Sequence, residues 1–148
     1  MTSVPKPRPG TLAWRARQTE QVLDKFRDQP FCWQRANGWK LTRAMAVALG
    51  HSLPPVPMFR TELGCRQALA KTGAATVADY LDRYFPRWPA PAFALIGDLV
   101  VLEDHVGGET VCVADGLGNL FGWHGHEGAP EGFGGARFAG HPVGAWKL

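Results

Sequence analysis

A proline-rich stretch near the middle of the chain, "FPRWPAP" at residues 85–91, constrains the fold more than any other feature. Proline fixes its own φ and lacks a backbone N–H, so a helix cannot run through this stretch. Before it, apolar residues recur at helical spacing. After it, they alternate or form short unbroken runs, as they do in strands. Helices followed by strands predict an α+β fold with a small antiparallel sheet.

Four helices are predicted before the prolines, and each has polar or glycine residues at the positions where helices begin and end. The second has the clearest pattern, because its apolar residues fall on one face from Gly38 to Leu49. The helices are expected over about residues 12–28, 38–49 and 62–72 and from residue 76, with Thr11, Asn37 and Thr76 as caps and Gly50 and Gly73 as stops.

Three strand segments are predicted after the prolines. "GDLVVLED" (97–104) indicates a first strand, and "ETVCVADGLGNLFGW" (109–123) indicates a hairpin that turns at Asp115 and Gly116. In that hairpin Val111 and Val113 share one face and Cys112 lies on the other. "HPVGAWKL" closes the chain as a last strand or an extended tail.

Length and composition predict one domain, residues 11–148, after a proline-rich lead at residues 1–10. The net charge of +3 comes from basic residues interleaved with acidic ones, so nucleic-acid binding is not indicated. No run of apolar residues is long enough to span a membrane, and the N-terminus lacks the core of a secretion signal. We therefore expect a soluble protein made in the cytoplasm, with reduced cysteines and no cofactor or metal.

Several short motifs are similar to those of one known family. They are "PFCWQRANG" (30–38) before the second helix, "MFR" (58–60) after it, Gly97 and Asp98 before the first strand, and the final "GAWKL". Their order, with a tryptophan turn, helices, a Gly-Asp strand and a hairpin, resembles the NlpC family of papain-like cell-wall peptidases. It is closer still to the short variants encoded among phage tail genes. The resemblance covers about residues 12–148 and implies a papain-like α+β fold.

The catalytic positions of that family are altered in this chain. The family reads Pro-Phe-x-Trp-Gly-x-x-Asp-Cys before its helix, whereas this sequence has Gln34 in the glycine place, Asn37 in the aspartate place and Gly38 in the cysteine place. The family's histidine opens the strand after the Gly-Asp strand, around residues 107–109, and the nearest histidine is His105. A papain-like site needs a cysteine thiolate at the helix N-terminus and a histidine to accept its proton. The altered positions predict a degenerate site without catalytic residues.

The resemblance implies that this protein is a structural component of a phage or phage-like tail tip or baseplate and is present in the virion. Its partners would be other tail proteins, such as hub, distal tail or tape-measure subunits, with possible cell-wall contact during infection. The alternative is an active peptidoglycan hydrolase that uses Cys32 with His105 or His124. Against it, Cys32 lies in the turn and not at the helix N-terminus, where the dipole lowers a thiol pKa.

The remaining polar and aromatic candidates have ordinary interpretations. His124 and His126 have the spacing of two zinc ligands on a strand, but no second ligand pair accompanies them, which favours solvated loop histidines. Cys65 and Cys112 are expected in the core. Six tryptophans exceed what so small a core should enclose, so Trp14, Trp123 and Trp146 are candidates for contacts with a partner.

Overall fold

The computed structural model describes residues 5–103, 108–123, 133–137 and 141–148. Four helices come first, a short 3-10 helix at Pro91–Phe93 follows the proline cluster, and the rest of the ordered elements are strands. The helices are α1 (Leu12–Phe26), α2 (Gly38–Ala48), α3 (Glu62–Lys71) and α4 (Val77–Asp82); the strands are β1 (Leu99–Glu103), β2 (Glu109–Ala114), β3 (Asn119–Gly122), β4 (Gly134–Arg137) and β5 (His141–Trp146).

The predicted helix caps are present. The side chain of Thr11 accepts from the backbone N–H of Trp14, and that of Thr76 accepts from Asp79. Thr61, which the sequence analysis did not single out, caps α3 in the same way. Gly50 follows α2 with a φ of +91°. Helices commonly end at a residue in this left-handed conformation, which glycine adopts most readily.

The strands form one antiparallel sheet in the order β4-β3-β2-β1-β5. Strand β1 therefore lies between β2 and the edge strand β5, and Leu99 pairs with Val113 on β2 and with Trp146 on β5. The α+β class and the hairpin are confirmed, and the C-terminal segment is a full strand of the sheet. Strand β4 was not predicted, because two of its four residues are glycine and the segment carries no alternating apolar pattern.

Alternation along the strands divides the core between the two faces of the sheet. Val111 and Val113 face the helices, where they pack with the apolar stripes of α1, α2 and α4. Cys112 lies on the opposite face, in a smaller cluster that Trp88 and Ala94 help to cover. The prediction for these three β2 residues is confirmed. Cys65 is half-buried on α3, a helix that has no fully buried residue.

Two of the three proposed contact tryptophans belong to the core. Trp146 has no exposed surface, and its indole N–H donates to Asp82 at 2.8 Å. Trp123 is 4% exposed and packs edge-on against Phe26. The chain encloses both side chains, so neither is open to a partner in this structure. Trp14 is half-buried against the same core.

The core holds more aromatic residues than the chain length suggested, because they pack against one another. Trp123 also contacts Phe133, with ring centroids 5.0 Å apart, and its indole N–H donates to the backbone oxygen of Gln29. Edge-to-face packing with the polar N–H satisfied is a stable arrangement for tryptophan. The expectation that surplus tryptophans contact a partner protein did not allow for this packing of aromatic rings against one another in the core.

Candidate functional site

The segment before α2 is a closed turn that fixes where the helix begins. Cys32 and Ala36 exchange two backbone hydrogen bonds of 2.8 and 2.9 Å, so the five residues between and including them form a tight loop. Asn37 follows in an extended conformation and Gly38 is the first helical residue. The α2 N-terminus therefore stands where the sequence placed it.

Asn37 joins the turn to the helix through both ends of its amide. The side-chain oxygen accepts from the backbone N–H of Lys40 at 3.0 Å, and the side-chain nitrogen donates to the backbone oxygen of Trp33 at 2.9 Å. A longer bond of 3.4 Å reaches the oxygen of Cys32. The residue is only 3% exposed. The cap assignment is confirmed, and the two bonds donated by the amide are additional to it.

Gly38 lies against β2, where a side chain would be in tight contact with the strand. A Cβ atom built on Gly38 would come 3.3 Å from the Cβ of Val111 and 3.6 Å from its backbone nitrogen. Carbon atoms pack best at about 3.5 to 4.0 Å, so even a methyl group would require a shift. Val111 cannot move easily, because it is buried in the core and its strand pairs with β1. A nucleophilic side chain at this position would therefore crowd Val111.

Glu109 opens β2, in the region where the resemblance places a catalytic histidine. One carboxylate oxygen accepts from the backbone N–H of Val77, the first residue of α4, at 3.3 Å. The other is buried and has no hydrogen-bond partner in the described part of the chain. The sequence analysis did not identify this residue, although its spacing of two from Val111 indicates the same face of the sheet. Glu109 therefore accepts a hydrogen bond from the N-terminus of α4.

Both histidines proposed as bases, His105 and His124, are outside the described residues, and so is His126. His51, whose side chain is described, lies past the opposite end of α2, with its ring edge-on to Phe85 at 5.1 Å. The one histidine side chain that the structure describes therefore lies away from the α2 N-terminus.

The three cysteines have different environments. Cys32 is half-buried, and the backbone N–H groups of Gln34 and Arg35 that face its sulfur lower its pKa. Burial raises the pKa of Cys65 to about 11 and that of Cys112 to about 12. Only Cys32 therefore gains thiolate character from its surroundings, and it does so in the turn and not at the helix N-terminus.

An aromatic cluster surrounds the start of α2. Trp39 packs against Tyr80 and Phe59, and Phe59 also contacts Trp33. Trp33 is edge-on to Phe31 at 4.7 Å, and its indole N–H is buried without a partner among the described residues. These rings fill the space beside the helix N-terminus and leave its surroundings largely apolar.

The Gly-Asp pair before β1 is a structural junction. Gly97 has a φ of +89°, and a Cβ there would lie 2.8 Å from the hydroxyl oxygen of Thr19. The side chain of Asp98 has no exposed surface and forms an ion pair with Arg15 at 2.8 Å. It also accepts from the indole N–H of Trp88 and the backbone N–H of Leu148. One carboxylate thus ties α1, the proline-rich segment and the C-terminal strand together.

The described residues give no sign of a metal centre or a membrane span. No group of three or more metal-ligating acidic, histidine or cysteine side chains occurs among them. No helix in the described ranges is long and apolar enough to cross a membrane.

Comparison with other proteins gives a family but no described activity. No curated protein and no solved structure matches the chain. Residues 11–134, which include all four helices and strands β1 to β3, match the model of a family described as a domain of unknown function, DUF6950. The chain belongs to the DUF6950 family.

Proposed function

We propose that this chain is a non-catalytic structural component of a phage or phage-like tail tip or baseplate, built on an NlpC-type papain-like scaffold. The observation that carries the loss of chemistry is the contact between Gly38 and Val111. A nucleophile at the α2 N-terminus would need a Cβ where the strand leaves 3.3 Å. Placement in a tail rests on the resemblance of the motifs.

The motifs behind that resemblance have structural uses that need no catalysis. Asn37 caps α2 and ties the preceding turn, and Asp98 joins three segments in the interior. Trp146 fills the core and bonds Asp82. Selection for the fold alone would keep these residues while the nucleophile position changed, which supports a scaffold role. The proposed partners are other tail proteins of the hub, distal tail or tape-measure type.

Immunogold electron microscopy of particles released from the native host tests the assignment to a tail. An antibody against this chain should label the tail end of the particles, and peptides of the chain should appear by mass spectrometry in purified tails. Label confined to the cell wall, with clean tails, would refute it. In parallel, the purified protein should release no muropeptides from peptidoglycan sacculi.

One observation favours a second candidate, an active cell-wall hydrolase that uses Cys32 with His105 or His124. Cys32 has a lowered pKa, which is the property that a nucleophilic thiol requires. Muropeptide release by the wild type and its loss in Cys32→Ser would establish this candidate. Cys65→Ser is the matched control, because that thiol is held protonated by burial. Equal muropeptide release by both variants would exclude a Cys32 nucleophile.

A further inference from the structure

The outer surface of α1 and α2 contains a groove that the proposed scaffold role does not use. It has a volume of about 640 Å³, and Pro55 and Val56 from the segment after α2 also line it. We name it the α1–α2 groove. Pockets of roughly 300 to 1,000 Å³ are the size at which proteins bind small ligands or short segments of other chains.

Helical spacing accounts for the lining of the groove. Residues three, four or seven apart share one face of a helix, and each helix contributes one such stripe. The α1 stripe is Gln18, Gln21, Val22, Lys25 and Phe26, with Gln29 just beyond the end of the helix, and the α2 stripe is Lys40, Arg43, Ala44, Val47 and Ala48. Arg35, from the turn before α2, completes the rim.

The charges on this groove have one sign. Lys25, Arg35, Lys40 and Arg43 line it, and no aspartate or glutamate does. None of the four makes an ion pair within the described ranges, whereas Arg15 does. So do Arg27, Arg66 and Arg87 elsewhere on the chain.

One nitrogen atom of these four cationic side chains is buried without a partner. The Nε atom of Arg43 is buried and has no hydrogen-bond partner among the residues that the structure describes. A buried donor without a partner is unfavourable by about 1 to 3 kcal/mol, and more for a charged group. A bound carboxylate that drew the Arg43 side chain outward would remove that cost, since the atom is enclosed in the unbound conformation.

The floor between the cations is apolar. Val22, Ala44 and Val47 contribute to it, and Val47 is 49% exposed. A nucleic-acid backbone would satisfy the cations but place charged phosphates over this floor. A peptide can present carboxylates to the rim and aliphatic side chains to the floor at once. The three glutamine side chains can pair with the donors and acceptors of its backbone.

We propose that the α1–α2 groove docks an acidic segment of another protein that carries aliphatic side chains between its carboxylates. The aliphatic groups cover Val47 and its neighbours, and the carboxylates pair with Lys25, Lys40 and Arg43. This docking site does not depend on the assignment to a tail, because it rests on the charge and the apolar floor of the groove.

A designed peptide provides a direct probe. The probe is a fluorescein-labelled peptide of glutamate and leucine, about 11 residues long so that it makes three helical turns, with leucines on one face. Fluorescence anisotropy with the full chain should show saturable binding that weakens with added salt. The same peptide with lysine in place of every glutamate should bind at least about tenfold more weakly, as charge reversal predicts.

Two variants separate the charge from the apolar floor. Lys40→Glu reverses one rim charge in the first turn of α2, where an acidic residue favours the helix, so the fold should be kept. Lys71→Glu on α3 is its control. Val47→Asp places a carboxylate on the floor, and Leu117→Asp is its control at a residue that is 86% exposed. Each groove variant should weaken binding by about tenfold or more, and each control should stay within about twofold, since one lost contact is worth on the order of a factor of ten.

Three results would overturn the proposal. One is equal binding of the acidic and the lysine peptides. Another is unchanged affinity in both groove variants when their unfolding midpoints match the wild type. The third is displacement of the acidic peptide by millimolar inorganic phosphate or by an oligonucleotide, with the same displacement in Val47→Asp as in the wild type. That result would make the groove a general anion site. Loss of binding in the two groove variants, with binding kept in the two control variants, supports the peptide assignment.

Discussion

Removing the side-chain amide of Asn37 should destabilise the protein more than removal of an ordinary helix cap. In Asn37→Ala the bond accepted from Lys40 is lost, which for a cap is worth about 0.5 to 2 kcal/mol. The bonds donated to Trp33 and Cys32 are lost as well. The Cys32 oxygen keeps the bonds from Arg35 and Ala36 in the turn. The Trp33 oxygen loses its described partner, at a further cost of about 1 to 3 kcal/mol.

The cap and the unsatisfied carbonyl together give a range of about 1.5 to 5 kcal/mol, and we expect a loss in the middle of it, about 2 to 4 kcal/mol, in the free energy of unfolding. Urea unfolding followed by tryptophan fluorescence measures it. With a slope near 2 kcal/mol per molar urea, the midpoint should fall by about 1 to 2 M while the slope stays constant.

Two further variants divide that loss into its parts. Thr61→Ala removes an exposed cap with a single bond, from Gly64, and should cost only about 0.5 to 1 kcal/mol. Asn37→Ser keeps a side-chain acceptor for the backbone N–H of Lys40 and loses the amide that donates to the Trp33 and Cys32 oxygens, so it should fall between the wild type and Asn37→Ala. If Asn37→Ala costs no more than Thr61→Ala, the amide does not tie the turn to the helix, and the account of this junction is wrong.

Three other outcomes are expected. Gly38→Cys should release no muropeptides from sacculi and should destabilise the fold by about 1 to 3 kcal/mol, because its Cβ meets Val111; higher stability or hydrolysis would contradict the steric argument. Iodoacetamide near neutral pH should modify Cys32 at least about a hundredfold faster than Cys112, whose pKa of about 12 keeps it protonated; comparable rates by mass spectrometry would contradict the assigned environments. Asp98→Asn should lower the free energy of unfolding by about 3 to 5 kcal/mol, because it removes the buried charge that pairs with Arg15 and replaces an oxygen that accepts from Trp88 and Leu95 with an amide nitrogen that cannot accept; a thermal midpoint equal to the wild type would show that the ion pair is dispensable.

Much of the fold could be predicted because it depends on local chemistry. Thr11, Asn37 and Thr76 cap helices through bonds to residues three positions ahead, so their role is visible in a short window. The opposite faces of Val111 and Cys112 follow from the period of two along a strand. Strand β4 escaped prediction because its glycines give no such pattern.

The candidate site was only partly predictable. The sequence indicated that glycine stands in the nucleophile position at residue 38. It did not indicate that Val111 would lie close against that position. It also did not indicate that Glu109 would bind the start of α4, since that bond joins segments far apart in the chain.

The sequence by itself determined the order of the four helices and of strands β1 to β3, the caps of α1, α2 and α4, and the two faces of β2, because each depends on residues within about one helical turn or one strand pair. The tertiary structure decided what lies against the α2 N-terminus, that Trp146 is enclosed, and that cations from α1 and α2 line one groove. These features depend on distances between segments that meet only after the helices pack on the sheet. No local pattern specifies those distances, because many packings bury the same apolar stripes.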